Sequence, residues 1–134
     1  MKPKVLIVTA RYYKNFSKNL EFYAGIVLNN KAKYKVISVP GVFEIPVVIS
    51  KNIKKYDGFI ALGCVIKGET PHFDLISKAT IDGIMKLSIE HKKPIGNGII
   101  TCLSHKQAVA RQKKGEEAAV ALLSVLKQSK VSTK

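Results

Sequence analysis

The sequence is poor in cysteine, in acidic residues and in aromatic rings. Its 134 residues include two cysteines, nine Asp and Glu residues and no tryptophan. Cys64 and Cys102 lie in separate apolar segments, far apart along the chain, which excludes a CxxC redox pair and a set of zinc ligands. We therefore interpret both cysteines as buried residues and expect no metal site.

Long hydrophobic segments are also absent. No stretch reaches the roughly 18 uncharged apolar residues that a membrane span requires. Residues 1–4 run directly into a strand-like segment and show no signal-peptide cleavage pattern. We expect a cytoplasmic protein with no membrane partner.

The composition that remains is typical of one globular domain. Hydrophobic residues make up 46% of the chain and charged residues 24%, which argues against disorder and against a disulfide-rich scaffold. A chain of this length is expected to form a single domain over residues 1–134.

The charge of the chain is strongly positive. Lys and Arg number 23, so the formal net charge is +14, and such a surface attracts phosphates, nucleic acids and acidic lipids. The lysines are spread over nearly every predicted helix and both ends of the chain, without a basic stripe interleaved with aromatics. This distribution argues against a nucleic-acid-binding module, and we expect no nucleic-acid partner.

Apolar residues alternate between the period of a strand and that of a helix. Continuous β-branched and aliphatic runs predict strands at 4–9, 35–39, 59–66 and 95–102. Helical spacing, with Ser17 and Ser104 as candidate caps, predicts helices at 17–28, 45–53, 73–91 and from 105 onward. Residues 113–115 interrupt the last pattern, which allows two shorter helices or one kinked helix. The alternation predicts an α/β protein, a flavodoxin-like three-layer α/β/α sandwich with a four-stranded parallel sheet.

The loops after the first three strands hold the residues best suited to chemistry, because ligands of open parallel sheets bind beyond the carboxyl ends of the strands. Residues 10–14 offer aromatic rings beside cations, and residues 40–44 place an aromatic ring next to a carboxylate. Residues 67–74 place Thr70 and His72 around the start of a helix, whose amides favour an anion. Imidazole suits proton transfer near neutral pH. An aromatic ring, a hydroxyl, a helix start that favours an anion and an imidazole together indicate a site for a small-molecule phosphate ester.

The same residues also have structural interpretations. A single histidine near a helix start is more often a capping or surface residue. Phe43 suits a core position, and Arg111 suits the surface of a basic helix. Cys64 together with His72 would supply a thiolate nucleophile, but an apolar strand raises the pKa of a thiol and argues against that chemistry.

Two longer motifs resemble those of a known family. Residues 39–46, VPGVFEIP, and residues 62–74, LGCVIKGETPHFD, closely resemble the 6,7-dimethyl-8-ribityllumazine synthase family. Further segments are similar to its first substrate loop, fourth strand and C-terminal helix, at 10–12, 98–101, 107–111 and 114–119. The resemblance covers nearly the whole chain, in the order that the family has.

The resemblance implies an enzyme of riboflavin biosynthesis. Members of the family are transferases that condense 5-amino-6-(D-ribitylamino)uracil with 3,4-dihydroxy-2-butanone 4-phosphate, giving 6,7-dimethyl-8-ribityllumazine, phosphate and water. No cofactor and no metal are implied. The family forms homo-pentamers, and in some members twelve pentamers build a hollow 60-subunit shell.

The resemblance also implies a role for each matching residue. His72 matches the histidine that transfers protons. Thr70, with the backbone of Glu69, matches the turn that contacts the phosphate. Arg111 matches an arginine that reaches the same phosphate from an adjoining subunit, a task that suits a guanidinium fork.

Other matching positions surround the pyrimidine ring and its ribityl chain. Tyr12 matches an aromatic that stacks on the ring, and Lys114 matches a lysine near it. The remaining matches are the loop that holds the ribityl chain and the strand end whose backbone reads the ring, namely Val42, Phe43 and Glu44, and Cys64, Val65 and Ile66. Asn97 stands where many members place a phenylalanine from the neighbouring subunit over the ring.

A flavin- or nucleotide-binding carrier without catalysis is the alternative, since the same sheet, Tyr12 and the turn suited to an anion would serve it equally. The sequence contains neither GxGxxG nor GxxxxGK[ST], which argues against dinucleotide and triphosphate binding.

Overall fold

The apolar runs form a parallel sheet in the computed structural model, which describes residues 2–68 and 72–128. The four strands of these ranges are β1 (Lys4–Ala10), β2 (Lys33–Val39), β3 (Gly58–Ile66) and β4 (Ile95–Cys102). Their order in the sheet is β2-β1-β3-β4. β1 and β3 are central and buried along most of their length, which explains their uninterrupted apolar sequences.

Helices cover both faces of this sheet. Over the described ranges they are α1 (Lys14–Leu28), α2 (Ile45–Lys51), α3 (His72–His91), α4 (His105–Ala110) and α5 (Lys114–Lys127), with a 3₁₀ turn at Val42–Glu44 before α2. Val5 and Ile7 of β1 point to the core beneath α1, α4 and α5, whereas Leu6 and Val8 point to the core beneath α2 and α3. The predicted three-layer fold is confirmed.

The start of α1 differs from the prediction. Ser17 is not the cap, because the helix begins at Lys14. The Ser17 side chain is fully buried, and its hydroxyl donates a hydrogen bond to the carbonyl of Ala10 at the end of β1. It therefore ties the helix back to the strand.

Ser104 caps α4 as predicted. Its hydroxyl accepts a hydrogen bond from the Gln107 N–H at 3.3 Å. The interruption in the last helical pattern is a true break, which resolves the alternatives in favour of two helices, α4 and α5.

Two glycines allow α5 to approach its neighbours. A Cβ on Gly115 would overlap the carbonyl of Leu20 in α1, and a Cβ on Gly96 would overlap the carbonyl of Ala118 in α5. Backbone atoms leave no room for a side chain at either place. Gly96 and Gly115, which interrupt the sequence patterns of β4 and the last helix, thus determine how closely α5 packs against the sheet and α1.

No helix in the described part of the chain combines the length and the apolar character needed to cross a bilayer.

Candidate active site

A cleft of about 570 Å³ opens at the carboxyl ends of β1 and β3. Its walls come from the loops after β1, β2 and β3 and from the first turns of α3. The volume is that of an ordinary small-molecule site. Residues predicted from separate segments line it together, namely Tyr12, Val42, Phe43, Glu44, Cys64, Val65, Ile66 and His72.

The loop after β1 presents an exposed aromatic ring at the cleft. The Tyr12 side chain is 76% exposed and meets the edge of Tyr13, with ring centroids 4.9 Å apart. An exposed ring of this kind can stack on a planar ligand.

Tyr13 is one of the aromatic rings of residues 10–14, and the sequence predicts no separate role for it. It lines the cavity and contacts the ring of His105, the first residue of α4, at 5.8 Å. Burial raises the pKa of its phenol, and the neighbouring Tyr12 and Cys64 raise it further. The only signal for Tyr13 in the sequence is its place beside Tyr12.

The 3₁₀ turn after β2 forms the opposite wall. Phe43 is 59% exposed, so its interpretation as a core ring is wrong. The turn points the ring outward because Val42 takes the inward position, buried above Gly63. The Glu44 carboxylate accepts a hydrogen bond from the Gly41 N–H at 3.0 Å, which holds it at the cleft.

The end of β3 forms the floor. β1 pairs with β3 only as far as Leu62, whereas β3 continues to Ile66. In the described chain, residues 63–66 therefore lie outside that ladder, and Cys64, Val65 and Ile66 line the cleft. Unpaired peptide groups at such an edge can hydrogen-bond the edge of a planar ring.

Cys64 sits in this floor as a neutral thiol. Burial raises its pKa from an ordinary value of 9.0 to about 12, and the adjacent Cys102 adds to the effect. A thiol held in this state is a poor nucleophile, so the argument against thiolate chemistry stands.

His72 is the first residue of α3 and lines the mouth of the cleft with an exposed side chain. The amino end of a twenty-residue helix favours negative charge, and here that end opens onto the cavity. Glu69 and Thr70, the other predicted phosphate contacts, lie outside the described residues.

Asn97, Arg111 and Lys114 line a different pocket. It has a volume of about 470 Å³ and lies along β4 and the break between α4 and α5. Arg111 donates a hydrogen bond to the carbonyl of Thr101 at 2.9 Å, and Asn97 Oδ1 accepts one from the Ile99 N–H at 3.1 Å. None of the described residues lines both pockets, so Arg111 and His72 line separate pockets of one chain.

Within the described ranges, no three His, Cys, Asp or Glu side chains cluster closely enough to hold a metal ion.

Comparison with known proteins identifies one family. Residues 2–130 match the family model described as 6,7-dimethyl-8-ribityllumazine synthase. A protein of that name from Bartonella bacilliformis is 43% identical over 122 residues, which cover 87% of this chain and 80% of the relative. One from Agrobacterium fabrum is 41% identical over 124 residues, covering 87% of this chain and 84% of the relative. 6,7-dimethyl-8-ribityllumazine synthase 1 of Rhodopseudomonas palustris is 42% identical over 139 residues, covering 92% and 84%.

Proposed function

The chain belongs to the 6,7-dimethyl-8-ribityllumazine synthase family and is a transferase of riboflavin biosynthesis, and we propose that the cleft over β1 and β3 is its active site. It condenses 5-amino-6-(D-ribitylamino)uracil with 3,4-dihydroxy-2-butanone 4-phosphate. One observation carries the site assignment: three loops and the start of α3 place an aromatic ring, a free strand edge, a carboxylate and an imidazole around one cavity.

The aminouracil ring lies between Tyr12 and the end of β3. Tyr12 stacks on the ring face, since its own ring is exposed at the cleft. The backbone of residues 64–66 hydrogen-bonds the ring edge, because the pairing with β1 has ended before them. Cys64 serves in this position through its backbone, in keeping with its protonated thiol.

The ribityl chain runs along the 3₁₀ turn. The Glu44 carboxylate accepts one hydrogen bond from the Gly41 N–H, and its other acceptor sites can bind hydroxyl groups of the ligand. Phe43 covers the chain with its exposed ring, while Val42 anchors the turn in the core.

The reaction begins when the amine of the uracil attacks the carbonyl of the ketone phosphate. Loss of water gives an imine, loss of a proton then expels phosphate, and closure of the second ring releases further water. His72 accepts and returns protons in these steps. Holding the two reactants together supplies much of the remaining acceleration.

The phosphate binds at the amino end of α3, with Thr70 and the backbone of Glu69 among its contacts. The helix dipole supports this placement. Because the substrate is a charged phosphate ester that does not cross a bilayer unaided, the enzyme shares the compartment in which that ester is made, which we propose to be the cytoplasm.

A second subunit completes the site. Arg111, Lys114 and Asn97 line a pocket apart from the cleft, so they reach the ligand of a neighbouring chain in a homo-pentamer. Large exposed apolar side chains on α3, at Leu75, Met85 and Ile89, support self-association. Light scattering distinguishes a pentamer from a 60-subunit shell.

The direct test of the function is an assay with both substrates that follows lumazine absorbance and phosphate release. We expect one phosphate per lumazine formed, with no added metal or cofactor. Tight flavin binding without turnover would instead identify a carrier of the same fold.

A further inference from the structure

Arg11 precedes Tyr12 in the chain, but it is not among the residues that line the cleft. Its guanidinium donates a hydrogen bond from Nη1 to Oε2 of Glu21, about two turns into α1. Its Nε donates to the Ser38 hydroxyl of β2 at 3.0 Å, and its backbone N–H donates to the Val39 carbonyl at 2.8 Å. One residue thus links the loop after β1 to α1 and to the end of β2.

This arrangement is more sheltered than an ordinary surface ion pair. The side chains of Arg11 and Glu21 are 27% and 21% exposed, whereas those of the Lys78–Asp82 pair are 78% and 64% exposed. Screening by water and salt weakens the exposed kind of pair most. The planar guanidinium also bonds in two directions at once, which an ammonium on a flexible stem does not reproduce.

In the described chain, few other hydrogen bonds hold the loop. In the described structure Tyr13, at the N-cap of α1, makes no side-chain capping hydrogen bond, and the first turn of the helix holds no acidic residue. The hydrogen bonds that position the loop are therefore those of the Ser17 hydroxyl at Ala10 and those of Arg11, beside the ring contacts of Tyr13 with Tyr12 and His105.

We propose that Arg11 and Glu21 are positioning residues, which hold Tyr12 where its ring stacks on the aminouracil. Neither side chain touches the substrate. This role rests on the proposed function, since stacking by Tyr12 is part of that proposal. It requires that loss of the pair weakens binding of the aminouracil and leaves binding of the ketone phosphate unchanged.

Steady-state kinetics of Glu21→Gln, with each substrate varied in turn, test this role. We expect KM for the aminouracil to rise roughly 5- to 100-fold, the range that loss of ring stacking gives, with KM for the ketone phosphate unchanged. Arg11→Lys should give a smaller rise because it keeps the charge but not the fork. Glu116→Gln, which removes an exposed carboxylate from the first turn of α5, is the matched control.

A double-mutant cycle separates positioning from general stabilisation. Tyr12→Ala removes an exposed ring, so the fold should persist. In that background Glu21→Gln should raise KM for the aminouracil no further, because the ring that the pair positions is gone. If the two substitutions raise KM for the aminouracil additively, or if Glu21→Gln alone leaves it unchanged, the role of the pair is overturned. Neither result would affect the activity of the wild type.

Hydrogen exchange tests the pair without turnover. The amides of residues 11–13 should exchange faster in Glu21→Gln than in the wild type and in Glu116→Gln. Equal protection in all three proteins would overturn the proposal whether or not the wild type makes lumazine. Absence of lumazine synthesis by the wild type would contradict only the proposed function.

Discussion

At the scale of the residue, a thiol and an imidazole share one cleft but have different surroundings. Cys64 lies in the floor, where burial keeps it protonated, and His72 lies at the mouth, where its side chain is exposed. A proton donor and acceptor must reach the reacting atoms, and the exposed His72 at the cleft suits the role that we propose for it. These surroundings favour the imidazole over the thiol as the proposed proton-transfer group.

Cys64 should resist alkylation in the folded protein. With its pKa raised from 9.0 to about 12, the thiolate fraction near pH 8 is about 10³-fold lower than that of an ordinary thiol. Iodoacetamide labelling followed by mass spectrometry checks this, with the protein unfolded in guanidinium as the control. Equal labelling rates in the folded and unfolded protein would contradict the assignment.

The same pKa makes stability depend on alkaline pH. Because the folded pKa is raised, the unfolded chain releases this proton first, so the contribution of Cys64 to stability is intact below about pH 9. It is lost as the pH rises toward about 12. Urea unfolding of Cys64→Ala should show a shallower fall in stability over that interval than the wild type.

His72→Ala should slow lumazine formation by roughly 10²- to 10⁴-fold, because it removes the proposed proton-transfer group. The side chain is exposed, so the thermal midpoint should stay close to that of the wild type. Stopped-flow absorbance and calorimetry measure the two quantities. Turnover at the wild-type rate would remove His72 from the mechanism.

The sequence predicts site residues well where a motif brings them together and less well where tertiary contacts do. Tyr12, Glu44 and His72 follow from their loops, and all three line the cleft. The outward ring of Phe43 depends on the 3₁₀ turn, which has no distinct apolar period. The pairing of Arg11 with Glu21, ten residues apart between a loop and a helix, also has no sequence signature.

At the scale of the element, the close approach of α5 depends on residues that look like defects in the sequence. Gly96 interrupts a strand pattern and Gly115 interrupts a helix pattern. At each glycine, however, a backbone carbonyl of a neighbouring element occupies the space that a side chain would need. Arg111 and Lys114 lie at the break just before this contact. The packing of α5 therefore also places the cations of the second pocket.

Gly115→Ala should destabilise the fold. The added methyl group would overlap the backbone carbonyl of Leu20, which no rotamer change relieves, so we expect a loss of about 1–3 kcal/mol in the free energy of unfolding. Gly25→Ala is the matched control, since its methyl group would meet only the movable hydroxyl of Tyr34. Urea denaturation compares the two, and equal stabilities would refute this account of the packing.

Elements themselves were predictable because apolar runs and helical spacing are local. The bounds predicted for β4 are those of the structure, and the other strands differ by one or two residues. The prediction of Ser17 as a cap is wrong, because α1 starts without side-chain capping and is held instead by a hydrogen bond from Ser17 to the end of β1.

At the scale of the whole molecule, the fold gathers lysines that are dispersed along the chain. Strand starts and helix ends carry many of them to the end of the sheet opposite the cleft, namely Lys2, Lys4, Lys31, Lys33, Lys54, Lys55, Lys92, Lys93 and Lys127. Asp57 lies among them, its carboxylate bonded to the Lys4 N–H at 2.8 Å. Much of the positive charge is therefore remote from the proposed phosphate site.

Replacing Lys31, Lys54, Lys92 and Lys127 together with Gln should leave KM for the ketone phosphate unchanged at physiological ionic strength. Strands of seven to nine residues separate the two ends by about 23–30 Å, well beyond a Debye length of about 8 Å. Lys114→Gln, which removes a cation from the pocket of Arg111, should raise KM for the ketone phosphate. A matching rise in the fourfold variant would show that the field of the whole molecule guides the substrate.

Assembly is the property that one chain shows least directly. The cleft and the pocket of Arg111 are separate in the same subunit, so in the proposed pentamer the two halves of the site meet between neighbouring chains. Sequence motifs predict which residues belong to the site. Only the fold shows that these residues line two separate pockets.

Coexpression of the His72→Ala and Arg111→Ala chains tests this requirement most directly. Each variant alone should turn over slowly at low ketone phosphate. In randomly mixed rings, about one quarter of the interfaces pair an intact His72 with an intact Arg111, so activity should recover to about that fraction of the wild type. A mixture no more active than its separate components would place the whole site within one chain and contradict the account.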